Sequence, residues 1–486
     1  MYYIGADLGT SSLKMLLLDE EKNILNSVTE SYDLIFPNPG WSEQNPEDWW
    51  NAFETGIKKL TKDIDASQVA GIGIAGQMHG LVILDSDDKV IRPAILWNDG
   101  RTSNETDYLN TVIGKQKLSD LTANIAFAGF TAPKILWVKA NEPENFKKIS
   151  KIMLPKDYIN YLLTGVHATD YSDASGMLLL DVKNKCWSKE MLDICSVSED
   201  MMPKLFESYE KIGTLLPDIA KHLGLPENIS VAAGAGDNAG AAIGTATVGN
   251  GKCNISLGTS GTIFISSDKF GVDDNNALHS FCHSDGGYHL MGCMLSAASC
   301  NKWFCEEVLK TEDFAFEQMG ISSDLLGKNN VYFLPYLMGE RSPINDTDAT
   351  GMFIGLRPDT DRYAMLLAVL EGVAFAIRDS LEVAKKLGIE ISKSTVCGGG
   401  AKSKLWMKIL ANVLDIDLHI PKVEEGPGFG AAQLAMVASG AKESVSDTIE
   451  IKEIVSPDKE LSLLYQQKYD KFKSIYPAVK ELYKIL

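Results

Sequence analysis

A chain of 486 residues is too long for a single hydrophobic core, and its length predicts two large domains. Its net charge of −19, from 46 basic and 65 acidic residues, excludes general nucleic-acid binding because such a surface repels phosphate backbones. No segment reaches the roughly 18 unbroken apolar residues that a membrane helix needs. The eight cysteines form no Cys-x-x-Cys pair, which is typical of reduced thiols in a cytoplasmic protein.

The first predicted elements are strands joined by tight turns. Residues 2–6 are expected to form a strand, a Gly-Thr-Ser turn reverses the chain, and residues 13–19 return as a second strand, with a third beyond the turn at Glu-Lys-Asn. A helix follows, with Asn45 predicted as its N-cap and Pro46 at its first position. VAGIGIAGQ then reads as a buried strand, so the predicted order is hairpins, helix, strand, helix.

The second half of the chain repeats this order. The letters LGTS occur at 8–11 and again at 257–260, roughly half a chain apart, which indicates a duplicated domain rather than a solenoid repeat. HSFCH and YHLMGCM read as two paired strands, and one last helix is predicted from residue 461 to the end. We therefore expect an α/β chain of two such domains facing across a cleft, residues 1–246 and 247–486, with glycines and small residues marking the boundary.

Each Gly-Thr-Ser turn is suited to hold a phosphate group. Glycine allows close backbone approach, and successive N–H groups and hydroxyls can cradle an anion. Only the first turn is preceded by a carboxylate, Asp7, which is placed to meet Mg²⁺, while Ser256 precedes the second. Lys14, on the returning strand, could reach the same phosphates. One such turn alone is more often an ordinary hairpin, but two matched turns favour a polyphosphate site.

AAGAGDNAGAAIG predicts a strand that ends in glycines and a helix that begins near Asp237. A carboxylate there can accept a hydroxyl proton while the oxygen attacks phosphorus. The alternative is a structural N-cap.

AGQMHG places Met78 and His79 at the end of a buried strand, where ligands of α/β proteins usually bind. WNDGR offers Trp97 beside Asp99 and Arg101 as a sugar-binding surface. The alternative for His79 is a structural role, which is more common for a lone histidine.

The triple glycine of CGGGAKS, between a predicted strand and helix, would let a flat adenine ring lie on the backbone, with a flexible loop as the alternative. GPGFGAAQLA is expected to start a helix that backs the same pocket. The histidines of HSFCH match none of the common zinc spacings, so a metal site is not favoured there.

The chain resembles the FGGY family of carbohydrate kinases over nearly its whole length. The resemblance is carried, in order, by DLGTSSLK, GQMHG, AILWNDGR, GFTAPKILWV, SDASGMLLLD, GAGDNAGAAIG, SLGTSGT, HSFCH, LSAASC, FLPYLMGERSP, LEGVAFAIRDS and CGGGAKS. GQMHG together with WNDGR favours its xylulokinase branch. Other members of the family act on other pentuloses, hexuloses or polyols, and these remain alternatives, as does a non-kinase ATPase of the actin superfold.

The resemblance implies two actin/ribonuclease-H-like domains, with ATP, Mg²⁺ and a sugar in a deep cleft between a sugar-binding N-terminal and a nucleotide-binding C-terminal domain. It implies that Asp237 is the catalytic base and that Asp7 and Asp237 lie near the metal. The implied contacts to the sugar are Met78, His79, Trp97, Asp99 and Asn238. Those to the phosphates are Thr10, Lys14, Gly258 and Thr259. Those to adenosine are Gly399, Gly400 and Ser403. The family often forms homodimers, and no nucleic-acid or membrane partner is expected.

Overall fold

The computed structural model describes residues 1–422 and 425–485, which divide into two compact units. The first unit contains residues 1–248 together with 280–288 and 425–448. The second contains the rest of the described chain. This division differs from the one expected at 246/247, because residues 280–288 and 425–448 of the C-terminal half belong to the first unit.

A mixed sheet forms the centre of the first unit. Its first strand pairs antiparallel with the second and parallel with the strand Val69–Gly76, so the predicted hairpins and buried strand are present. The strands, in their order across the sheet, are Lys211–Thr214, Ser230–Ala232, Val69–Gly76, Tyr2–Leu8, Ser12–Leu18 and Ile24–Ser31, and Ala235–Gly236 also pairs with Val69–Gly76.

The helix Gly426–Ala438 lies directly on the backbone of this sheet. A methyl group on Gly5 would lie 1.9 Å from the Gly428 carbonyl oxygen, and one on Gly73 would lie 2.1 Å from that of Ala431. The same helix packs on the helix Asp237–Gly244, where a methyl group on Gly430 would lie 1.9 Å from the Gly240 oxygen. The expectation that GPGFGAAQLA backs the adenine pocket was therefore wrong: its small residues allow backbone-to-backbone packing inside the first unit.

Helices and short strand pairs surround the sheet of the first unit. The predicted helix Pro46–Leu60 is present, but the side chain of Asn45 makes no capping hydrogen bond. The remaining helices are Ser103–Asp107, Tyr108–Gly114, Lys115–Thr122, Thr131–Asn141, Pro143–Phe146, Pro155–Thr164, Tyr171–Ala174, Lys189–Cys195 and Pro217–Leu223. The strand pairs are Glu43–Gln44 with Ala94–Ile95, Val82–Leu84 with Lys151–Met153, Ala168–Asp170 with Lys204–Phe206, and Leu180–Asp181 with Cys186–Trp187.

The sheet of the second unit repeats the central arrangement of the first. Its strand Cys253–Leu257 pairs antiparallel with the strand after the turn and parallel with Lys393–Cys397. In both units, therefore, the LGTS turn closes the hairpin at the centre of the sheet. The strands in order are Tyr288–Met294, Gly261–Ser267, Cys253–Leu257, Lys393–Cys397, Asp417–Pro421 and Ile451–Val455. Of the two strands predicted at HSFCH and YHLMGCM, the first is the strand His279–Cys282 and the second is Tyr288–Met294.

The helices of the second unit include the long buried helix Arg362–Lys386. The last predicted helix is two helices, Lys459–Phe472 and Ile475–Tyr483. Pro477 explains the break, because proline cannot donate a helical hydrogen bond and is tolerated only in a first turn. The others are Ala298–Trp303, Phe304–Val308, Phe314–Met319 and Lys404–Leu414. Within the described part of the chain, no helix combines the length and apolarity needed to cross a membrane.

Candidate active site

The first LGTS turn is held in place by two polar side chains. Gly9 N–H donates to the Ser12 carbonyl across the turn at 3.0 Å. The Tyr32 hydroxyl donates to the Gly9 carbonyl at 2.5 Å, and Gln44 Nε2 donates to the Thr10 carbonyl at 2.6 Å. Neither Tyr32 nor Gln44 was found by sequence reasoning, because both come from separate elements and carry no motif. The turn that we expect to hold phosphate is thus rigidly supported.

Two predicted ligand contacts already have protein partners at this turn. Lys14 lies opposite Asp7 across the hairpin and forms an ion pair with Glu425. Trp97 is 45% exposed, and its Nε1 donates to Thr10 Oγ1 at 2.9 Å. Trp97 therefore connects the WNDGR segment with the first LGTS turn, which the sequence did not predict.

Asp237 is the first residue of its helix and follows the strand Ala235–Gly236. Its Oδ1 accepts hydrogen bonds from the Asn238 backbone N–H at 2.7 Å and from Asn238 Nδ2 at 2.9 Å. Gly236 occupies the N-cap position, so the structural alternative of an N-cap aspartate does not apply. Burial raises the pKa of Asp237 to about 6, against the two hydrogen bonds from Asn238, which lower it. A carboxylate with this pKa is suited to accept a proton near neutral pH.

Asp7 lies close enough to Asp237 for the two charges to repel. Burial, and then the charge of Asp237, raise the pKa of Asp7 to about 7, whereas Lys14 lowers it. The structure therefore brings together the two carboxylates for which the family resemblance implied one site.

Met78 and His79 follow the strand Val69–Gly76 and lie beside the backbone that carries Asp237. A methyl group on Gly236 would lie 2.9 Å from Met78 Cγ. His79 has φ of 69°, in the left-handed region, which is uncommon for a residue with a side chain. Its Nδ1 lies 2.7 Å from the Gly176 carbonyl oxygen. Because a carbonyl can only accept, Nδ1 carries a proton, so that in the neutral form of the ring Nε2 would be an acceptor.

Asp99 does not form an open wall of the pocket, so this predicted sugar contact needs correction. Its side chain is buried and pairs with Arg101, Oδ1 accepting from Nε at 2.8 Å and Oδ2 from a terminal nitrogen at 2.7 Å. Oδ2 also accepts from the Ser42 backbone N–H at 2.5 Å. Arg101 further pairs with Glu43 and lies 3.8 Å from the centre of the Trp41 ring. These contacts make WNDGR a structural anchor for Trp97.

The second unit contains a cavity of about 600 Å³ that includes every residue predicted there for adenosine and phosphate. Its lining residues are Leu257, Gly258, Thr259, Ala298, Ser299, Asn301, Lys302, Phe314, Ala315, Gln318, Gly399, Gly400, Lys402, Ser403 and Trp406. Sequence reasoning missed the contributions of residues 298–302 and 314–318, whose helices carry no nucleotide motif. The cavity is large enough for a nucleoside.

Ser403 and the glycines differ in how they meet this cavity. Ser403 Oγ accepts from Trp406 N–H at 3.1 Å as the N-cap of the helix Lys404–Leu414, and donates to Gln318 Oε1 at 2.5 Å. A methyl group on Gly399 would meet nothing within 4 Å, whereas one on Gly400 would lie 2.8 Å from Leu257 Cβ. The Gly399 backbone is thus open to a flat ring.

Models of the FGGY family of carbohydrate kinases match the two parts of the sequence, the N-terminal domain over residues 2–244 and the C-terminal domain over 253–439. The chain belongs to the FGGY family of carbohydrate kinases. It is 40% identical over 485 residues to a xylulose kinase of Escherichia coli (strain K12), covering 99% of both chains.

Solved structures agree with this family assignment. A xyloylose kinase from Brucella ovis superposes with a TM-score of 0.94 at 40% identity, covering 99% of this chain and 100% of that one. A gluconate kinase from Lactobacillus acidophilus gives a TM-score of 0.93 at 27% identity, covering 98% of each. The predicted two-domain α/β kinase fold is confirmed. As an FGGY member the chain is a sugar kinase that uses ATP, and the family assignment decides against the non-kinase ATPase.

Proposed function

We propose that this FGGY kinase transfers the γ-phosphoryl group of ATP to the terminal hydroxyl of D-xylulose, giving D-xylulose 5-phosphate. The observation that carries the proposal is the Asp237 carboxylate, with a pKa near 6, beside the Met78–His79 segment. The xylulose kinase of E. coli, at 40% identity over the whole chain, supports the choice of sugar.

Asp237 acts as the general base in this proposal. Above pH 6 it is a carboxylate whose Oδ1 is held by Asn238, so that its other oxygen can accept the proton of the sugar hydroxyl. The resulting oxygen forms a bond to the γ-phosphorus as the bond to the β-bridging oxygen breaks, and ADP leaves with its charge. Positioning and electrostatic stabilisation supply most of the rate gain in such a transfer.

The sugar would be held by the first unit. His79 Nε2, an acceptor in the neutral ring, can receive a hydrogen bond from a sugar hydroxyl, and Met78 can pack on its carbon atoms. Trp97, bonded to Thr10, would place an aromatic face beside the sugar and the phosphate turn. Asn238 orients Asp237, and Asp99 acts only indirectly, through the segment that carries Trp97.

The nucleotide would be held by the second unit, with the base over Gly399 and Gly400 and the phosphates at Gly258 and Thr259. In the first unit, Thr10 and Lys14 would meet the transferred phosphoryl group. Lys14 would then exchange its ion pair with Glu425 for a phosphate oxygen.

Asp7 and Asp237 fit a magnesium ion. Burial, and then the charge of Asp237, raise the pKa of Asp7, and a divalent cation beside the two carboxylates would favour their ionised forms. Mg²⁺ typically takes one or two protein carboxylates and completes its coordination with phosphate oxygens and water. When bound, Mg²⁺ would neutralise charge on the phosphates.

A substrate panel tests the proposed sugar. ADP release is measured with D-xylulose, D-ribulose, D-fructose, gluconate and glycerol at matched concentrations, with ATP alone as the control for hydrolysis. We expect the highest kcat/KM with D-xylulose. The second candidate is a gluconate kinase, because a structure of that activity superposes almost as well. A higher kcat/KM with any other sugar would overturn the choice of xylulose but not the family assignment.

A further inference from the structure

Lys134 is a buried lysine directly behind the proposed sugar pocket. It lies in the first turn of the helix Thr131–Asn141, and its side chain has no solvent exposure. Its Nζ donates to the His79 carbonyl at 2.8 Å and to the Gly129 carbonyl at 2.6 Å. In the described parts of the chain it has no ion-pair partner, although a buried charge normally requires one.

The two carbonyl partners suit an uncharged amine. A neutral amine has two N–H groups, and each meets one acceptor here, whereas an ammonium group has three. Burial lowers the pKa of Lys134 well below its ordinary value, and the nearby charges of Asp99 and Arg101 oppose each other. Lys134 thus supplies a hydrogen bond to each of two carbonyls behind the proposed sugar pocket, and burial disfavours its charged form.

Both carbonyls belong to segments that shape the pocket. The His79 carbonyl follows the left-handed backbone that aims the imidazole ring, and Thr131 Oγ1 also donates to it at 3.0 Å. The backbone of Gly129 lies against Trp97, because a methyl group there would be 2.5 Å from the Trp97 carbonyl oxygen. One amine thus joins the His79 turn to the segment against which Trp97 rests.

We propose that Lys134 is a positioning residue for sugar binding, which holds the backbone of His79 and the Gly129–Trp97 contact in the geometry that the sugar needs. This inference rests on the proposed function, because it assumes that His79 contacts the sugar. Lys134 itself would contact neither the sugar nor the nucleotide. Its loss should therefore weaken sugar binding and leave ATP binding unchanged.

The test compares Lys134→Met with Lys139→Met on the same helix, an exposed lysine that donates to Ser196. We expect the KM for the sugar to rise roughly tenfold or more in Lys134→Met, with the KM for ATP unchanged, because the His79 carbonyl loses one of its two donors and the Gly129 carbonyl loses the Lys134 donor. Lys139→Met should match the parent protein. Thr131→Val, which removes the other donor to the His79 carbonyl, should raise the sugar KM in the same direction but less, and it remains informative if Lys134→Met does not fold.

Nitrogen-15 NMR of the full chain gives a readout that a merely structural role would not change. The parent protein should show His79 protonated at Nδ1, and Lys134→Met or Thr131→Val should shift the His79 ring signals towards a mixture of tautomers. An unchanged sugar KM in both variants, or an equal rise of the KM for the sugar and the KM for ATP, would overturn the inference.

His79→Ala separates the two proposals: if it leaves the sugar KM unchanged, the sugar site itself is misplaced. If it raises that KM, Lys134→Met should add little in the His79→Ala background, and a full additive effect would contradict positioning through His79.

Discussion

Replacing Asp237 with asparagine should abolish most of the activity and at the same time stabilise the protein above neutral pH. Asparagine keeps the oxygen that accepts both hydrogen bonds from Asn238, so the local geometry should survive. It cannot accept the sugar proton, and general-base catalysis typically contributes roughly 10²–10⁴-fold. We therefore expect kcat to fall by about that factor while ATP still binds.

The stability change follows from the raised pKa of Asp237. Folding raises the pKa of this carboxyl group from 3.8 to about 6. The free energy of unfolding of the protein therefore falls by about 3 kcal/mol as the pH rises through that interval, because each pKa unit corresponds to about 1.4 kcal/mol. The amide that replaces the carboxylate carries no charge and avoids this loss. Asp237→Asn should thus be about 3 kcal/mol more stable than the parent at pH 8, with no such advantage below pH 4.

Thermal unfolding at pH 8 and pH 4, together with an ADP-release assay, measures both effects. The Tm at pH 8 should rise by several degrees, on the scale of roughly 2 °C per kcal/mol for a large domain. Asn238→Ala is the control, because it leaves the charge and removes one hydrogen bond, so it should lower stability at pH 8. A normal kcat, or a Tm at pH 8 that does not exceed that of the parent, would refute the assignment of Asp237 as a buried base.

Three further predictions follow from the site. The kcat/KM of the parent should fall about tenfold per pH unit below pH 6, since Asp237 must be ionised, and should level off above it. Gly399→Ala should raise the KM for ATP with an unchanged Tm, because its methyl group enters open cavity, whereas Gly400→Ala should lower the Tm through its clash with Leu257. Asp99→Asn should lower the stability by roughly 3 kcal/mol, because it leaves part of a buried ion pair uncompensated.

Each of these has a result that would contradict it. If kcat/KM is constant down to pH 5, the reaction does not depend on the ionisation of Asp237. Equal effects of the two glycine variants on ATP binding would show that the base does not lie over Gly399. If Asp99→Asn raises only the KM for the sugar and leaves the Tm unchanged, Asp99 contacts the sugar directly.

Much of the fold could be predicted because its signals are local. The LGTS hairpins and the long helix of the second unit depend on neighbouring residues, and the structure contains them. Asp237 was a candidate base because a carboxylate stands between a predicted strand and a helix of small residues, but the sequence alone left a structural N-cap as the alternative, and the structure places Gly236 at that position. The last helix was predicted as one because its apolar spacing continues across Pro477.

The supporting contacts could not be predicted because they join distant parts of the chain. Lys14 and Glu425 are 411 residues apart, and no local pattern indicates their pairing. Lys134 lies in GFTAPKILWV, one of the motifs that carry the family resemblance, yet only the folded chain shows its amine bonded to the His79 carbonyl. Asp99 was misassigned because its spacing from Arg101 suits a binding surface as well as a buried pair.

The helix Gly426–Ala438 has a consequence for how this protein must be made. It completes the first unit by covering Gly5 and Gly73, yet it emerges from the ribosome only after most of the second unit. The first unit therefore cannot complete its fold until translation is nearly finished, and until then its central strands are uncovered on one side. A fragment that ends near residue 248 should consequently be prone to aggregation, and adding residues 425–448 in trans should rescue its solubility.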